Sequence, residues 1–93
     1  MIEISRILSG PEPLRTVLIH VSGKVQGVHF RESTRGNAIS LNIKGSVMNL
    51  NDGRVKILAQ GSSDAIGQLI VWCKSGPPLA RVDHVSVEET EVT

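Results

Sequence analysis

An alternating apolar run from Leu14 to Val21 leads into two glycines four residues apart, Gly23 and Gly27, and a helical pattern opens just after them at Phe30-Arg31. The order is strand, tight loop, helix start, and it restricts both fold and chemistry. A glycine-bearing loop turns backbone N–H groups inward, and a helix N-terminus adds further unpaired N–H groups and the positive end of a dipole. Arg31, in the first turn, opposes that dipole. The combination is electrostatically sensible around a bound phosphate or carboxylate held between the amides and the guanidinium.

The rest of the chain completes a simple pattern. Residues 1–13 end in Gly10-Pro11-Glu12-Pro13, poor material for a helix or a central strand, and read as an N-terminal arm ahead of a domain spanning 14–93. Leu14–Ser22 is a half-buried strand with Val17, Ile19 and Val21 on one face. Phe30–Leu41 is a helix whose buried stripe is Phe30, Thr34, Ala38 and Leu41, with Asn42 as a left-handed stop. Gly45–Leu50 and Arg54–Gln60 flank Asn51-Asp52-Gly53, a hairpin signal because Asp and Gly tolerate positive φ; Val55, Ile57 and Ala59 share a face of the second strand.

Ser62 or Ser63 caps the next helix, which buries Ala65, Ile66, Leu69, Ile70, Trp72 and Cys73 and stops at Lys74 before Gly76-Pro77-Pro78. Arg81–Val87 is the last strand, with Asp83, Val85 and Val87 on one face and Val82 and His84 on the other. The order β-α-β-β-α-β is that of an α+β ferredoxin-like sandwich: a four-stranded antiparallel sheet with two helices on one face.

Composition excludes several classes. With Phe30 and Trp72 the only aromatics, the core must be Val, Ile and Leu, and base stacking on an open sheet face is unsupported. A net charge of +1 does not suit a nucleic-acid backbone, although Lys24, Arg31 and Arg35 could cluster around a small anion. The single cysteine, Cys73, fits a reducing compartment and reads as a buried small hydrophobe. No apolar run approaches the roughly 18–20 residues of a membrane span. Met1-Ile2-Glu3-Ile4-Ser5-Arg6 lacks the apolar centre of a signal peptide, so the chain reads as cytoplasmic. His20, His29 and His84 have no metal-ligand spacing, and no metal is expected.

Gly23-Lys24-Val25-Gln26-Gly27-Val28-His29-Phe30-Arg31 resembles the signature of the acylphosphatase family. Gly45-Ser46-Val47-Met48-Asn49 with Asp52-Gly53, and Trp72-Cys73 with Gly76-Pro77 and Ala80-Arg81-Val82, resemble two further blocks of the family in order. The resemblance runs from about Val17 to Val87. It implies a cofactor-free hydrolase that cleaves the carboxyl–phosphate bond of small acyl phosphates as a monomer, with inorganic phosphate as product or inhibitor. It further implies that the amides of Gln26, Gly27, Val28, His29 and Phe30 cradle the phosphoryl oxygens, that Arg31 clamps the same group, and that Asn49 orients the attacking water.

Without the resemblance, Arg31 would read as a surface residue paired with Glu32 or Glu88, and Asn49 as a turn residue. The chain also departs from the family pattern: Ser46 stands where a large aromatic is usual, and Asn42 where a glycine is usual. Members continue past the fourth strand into a final edge strand, so Ile2–Leu8 is expected to cover the edge left open after Val87. These departures motivate an alternative, a phosphate-binding regulatory domain without turnover. A domain of a carbamoyl-transferring maturation protein is disfavoured by Glu32, where such domains have proline.

Overall fold

A computed structural model describes residues 14–90. The arm at 1–13, and with it the edge-covering expectation for Ile2–Leu8, lies outside the described residues. The elements follow the expected order: β1 Leu14–Lys24, α1 Phe30–Ser40, β2 Lys44–Asn49, β3 Val55–Ser62, α2 Ser63–Cys73 and β4 Arg81–Glu89. The sheet order is β2-β3-β1-β4, and every neighbouring pair is antiparallel. β1 and β2 therefore run in the same direction with β3 between them, which is the split βαβ arrangement. It brings the C-terminal ends of β1 and β2, and the start of α1, to one end of the molecule.

Alternation decides the core. Val17, Ile19 and Val21 of β1 pair across with Ala59, Ile57 and Val55 of β3, and all six are at most 3% exposed. The helices close this layer with Phe30 and Thr34 from α1 and Ala65, Ile66, Leu69 and Cys73 from α2. Burying each large aliphatic side chain contributes about 1.5–3 kcal/mol, so this layer holds the sheet to the helices. Thr34 is buried without a polar orphan, because its hydroxyl donates to the Phe30 carbonyl at 2.8 Å.

The local stops behave as the residues dictate. Ser62 caps α2, its Oγ accepting from the Ala65 amide at 3.1 Å. α1 ends in a left-handed Asn42 (φ 59°), with Asn42 N–H donating to Ile39 and Ile43 N–H to Ala38 at 3.1 and 2.8 Å. Asparagine thus does the work expected of glycine there. In the hairpin only Gly53 takes positive φ (96°); Asp52 instead accepts from the Arg54 amide at 3.1 Å and pairs with the Arg54 guanidinium at 2.8 Å.

One expectation about β4 is corrected. Opposite Ser22 stands His84, but opposite Gly23 stands Val82, so Asp83 is an extra residue bulged out of the β1–β4 ladder. The bulge shifts the alternation by one, and Val82 joins Val85 against the core instead of facing away from it. Gly23 makes this possible. Its φ is 128°, and a Cβ there would sit 2.2 Å from the Arg81 carbonyl oxygen and 2.8 Å from the Asp83 nitrogen.

Candidate active site

The loop between β1 and α1 is fastened by two valines. Val25 and Val28 are sunk into the core at 1% and 4% exposure, while Gly27 and His29 face outward. Gly27 (φ 76°) and His29 (φ 65°, ψ 21°) are both left-handed, a conformation glycine adopts freely and histidine only under constraint. His29 is the N-cap of α1, yet its side chain makes no capping bond. The first bond into the helix runs from Ser33 N–H to the His29 carbonyl at 3.0 Å. Among the described residues, the N–H groups of Gly27 to Glu32 find no protein acceptor. A row of unsatisfied donors at the positive end of a helix is an environment that favours an anion, a ready cradle for one.

Beside this cradle is a cavity of about 300 Å³ lined by Val25, Gly27, His29, Phe30, Arg31, Glu32 and Asn49. Arg31 reaches it from the first turn of α1. Asn49, the last residue of β2, pairs with core-facing Val55 and so lies on the helix side of the sheet. Arg31 makes no ion pair among the described residues: Glu32 lies 3.7 Å from His29 Nδ1 instead, with both side chains strongly exposed. The Asn49 amide likewise forms no hydrogen bond among the described residues. Arg31 and Asn49 thus line one small space together with Gly27, His29 and Phe30 of the loop, with donors that no protein group uses among the described residues.

The other expected residues divide by role. Phe30 fixes the helix start, packing 1% exposed against Trp72 with ring centroids 5.3 Å apart. Val28 does not line the cavity, and its side chain is part of the core. Gln26 does not line the cavity. Its side chain donates from Nε2 to the carbonyls of both Leu50 and Arg54 at 2.9 Å, tying the loop to the base of the hairpin one residue beyond Asn49. Sequence reasoning gave Gln26 only an amide role, and nothing local in the sequence signals this long-range bridge.

Lys24 lines no part of the cavity, and Arg35 belongs to the next stretch of α1. His20 and His84 stand opposite Ser86 and Ser22 on the open sheet face, apart from His29. Among the described residues no three His, Cys, Asp or Glu side chains gather. Cys73 is fully buried, and burial pushes its thiol up to about 12, which removes it as a nucleophile at neutral pH. Ser46, the anomalous residue of the second block, is exposed on the sheet face opposite Asn49, since it pairs with Leu58 while Asn49 pairs with Val55.

The fold and the site together define a small α+β domain with unpartnered amides, an arginine and an asparagine gathered at the strand–helix junction. The acylphosphatase family model matches residues 17–93. An acylphosphatase of Rubrobacter xylanophilus is 51% identical over 75 residues, covering 81% of this chain and 68% of that relative. One from Thiobacillus denitrificans is 45% identical, with 84% and 88% covered. The solved structure of an acylphosphatase from Coxiella burnetii superposes with a TM-score of 0.84 at 42% identity, covering 90% of both chains. The chain belongs to the acylphosphatase family.

Proposed function

We propose that the protein hydrolyses acyl phosphates at the cavity between the β1–α1 loop and the end of β2. The observation that carries this reading is the convergence of Arg31, Asn49 and the unpartnered loop amides on one small space. The amides of residues 26–30 hold the phosphoryl oxygens, and Arg31 adds two parallel charge-assisted hydrogen bonds. Asn49 holds the attacking water through its carboxamide, whose oxygen accepts a hydrogen bond from the water and whose NH2 donates to the water oxygen.

The water oxygen bonds to phosphorus as the bond from phosphorus to the bridging oxygen breaks. The carboxylate departs with the electron pair, and the water's surplus proton goes to solvent. A carboxylate is a good enough leaving group to need no proton donor. Positioning and stabilisation of charge on the equatorial oxygens therefore suffice for the chemistry. Inorganic phosphate, the product, fits the same cradle and inhibits.

The near-neutral surface and single buried thiol support a monomer acting on a small molecule in the cytoplasm, without nucleic acid or membrane as partner. Among the described residues no helix is long and apolar enough to cross a membrane.

The test is phosphate release from acetyl phosphate by the wild type and by Arg31→Ala. Removing one preorganised donor group from a charge-stabilising site typically costs about 10²–10³ in kcat, and a loss of at least that size is expected here. Arg31→Ala turnover within a few-fold of wild type would remove Arg31 from the site.

A further inference from the structure

The small cavity has a larger neighbour along the same helix and strand. α1 packs along β2, and a second cavity of about 590 Å³ lies between the same two elements, a volume in the range of small-molecule sites. Both elements pass from one cavity to the next in the same order. On α1, Arg31 lines the first cavity and Arg35 the second, one turn further on and about 6 Å along the axis. On β2, Asn49 lines the first, while Val47 and Gly45, alternate residues of the same strand face, line the second.

The second stretch has a distinct chemistry. Its wall is apolar, with Ala38, Ile39, Ile43 and Val47, and Ile39 leaves 66% of its surface exposed there. Its charged residue on the helix side is Arg35, since Lys44 stands with Ser46 on the opposite strand face; no Asp or Glu lines the cavity, and Arg35 forms no ion pair among the described residues. An apolar wall ending in an unpaired cation suits an aliphatic chain that carries an anion.

We propose that this α1–β2 groove is the subsite for the acyl group. The proposal rests on the reading that the loop and Arg31 hold the phosphoryl group. The acyl chain leaves the cradle, runs along Ala38, Ile39 and Val47, and presents an anionic end to Arg35. A chain of about four or five carbons spans the distance from Arg31 to Arg35. The substrate class it selects is the monoacyl phosphate of a short dicarboxylic acid, or an equivalent chain ending in a second anion. Arg35 is then the residue that sets specificity.

The experiment compares kcat/KM for three probes: acetyl phosphate, pentanoyl phosphate and glutaryl phosphate, the last two matched in length but differing in tail charge. The wild type is expected to prefer glutaryl phosphate to pentanoyl phosphate by about tenfold, as a charge-assisted contact at a partly exposed site warrants. Arg35→Gln is expected to erase most of that ratio and to lower the glutaryl-to-acetyl ratio by about tenfold, while Lys44→Gln, a charge removed from the opposite strand face, leaves both ratios within about twofold of wild type.

A wild type that treats the matched pair alike, an Arg35→Gln variant that leaves both ratios unchanged, or a Lys44→Gln variant that loses as much as Arg35→Gln would overturn the subsite. An equal loss on all three substrates would overturn it as well, placing Arg35 on the phosphoryl group. Failure to hydrolyse any of the three would instead overturn the site reading on which the subsite rests.

Discussion

Gln26→Leu separates positioning from packing at this site. The substitution keeps side-chain bulk while removing two hydrogen bonds, from Nε2 to the carbonyls of Leu50 and Arg54, both 2.9 Å. Neither carbonyl becomes an orphan. Leu50 O still accepts from Gly53 N–H at 3.1 Å, and Arg54 O from Leu50 N–H at 2.8 Å. The stability loss is therefore the net value of two hydrogen bonds, about 0.5–1.5 kcal/mol each, and not the larger penalty for burying unsatisfied groups. A small domain with roughly 5–15 kcal/mol of stability survives that loss folded.

The kinetic effect should be disproportionate. Gln26 joins the loop that holds phosphate to the strand end that carries Asn49, and misplacement by 1 Å between reacting groups can cost about 10² in rate. The assay pairs urea unfolding with acetyl phosphate kinetics and phosphate inhibition. The expected result is a stability loss of about 1–3 kcal/mol from the two bonds, a fall in kcat of at least tenfold, and a phosphate inhibition constant within about threefold of wild type. An unchanged kcat alongside the expected stability loss would show that the bridge merely braces the hairpin.

Other outcomes follow from single residues. Gly23→Ala, which drives a Cβ to 2.2 Å from the Arg81 carbonyl and forces a side chain onto φ 128°, should lower the urea midpoint by the equivalent of at least about 1–3 kcal/mol; a neutral effect would mean the bulge rearranges freely. Cys73, with its thiol pushed to about 12 by burial, should resist a thiol reagent at pH 8 in the native protein and react fully in denaturant, whereas rapid native labelling would contradict its burial.

Asp52 is held below its ordinary value of 3.8, chiefly by the hydrogen bond from the Arg54 amide. Because the folded-state value is the lower one, its contribution is present above 3.8 and fades as pH falls through the folded value. A carboxyl NMR titration of Asp52 should show that depression, and a midpoint at or above the ordinary value would contradict the turn geometry.

Most of the fold was legible because local signals agree with one another. The alternation of Val17, Ile19 and Val21, the Asp52-Gly53 turn, the Ser62 cap and the Gly76-Pro77 stop each mark one element, and their order leaves little freedom in topology. The faces of β4 were not legible. Nothing in Arg81–Val87 announces a bulge, which arises only because Gly23 on the neighbouring strand admits the Arg81 carbonyl. Site legibility was similarly divided. Gly27 and Arg31 carry their chemistry in local sequence, and Asn49 follows from the family resemblance. The Gln26 bridge and the α1–β2 groove depend on contacts between residues more than a dozen positions apart, and periodicity is silent about such contacts.

The central claim is a division of labour: the loop and Arg31 bind the phosphoryl group, while Asn49 serves the water. The most direct measurement is acyl phosphate turnover by Asn49→Ala beside its affinity for inorganic phosphate from calorimetry. Loss of kcat by about 10² or more, with phosphate affinity within a few-fold of wild type, is the predicted result. Retained turnover, or phosphate binding lost together with turnover, would contradict it.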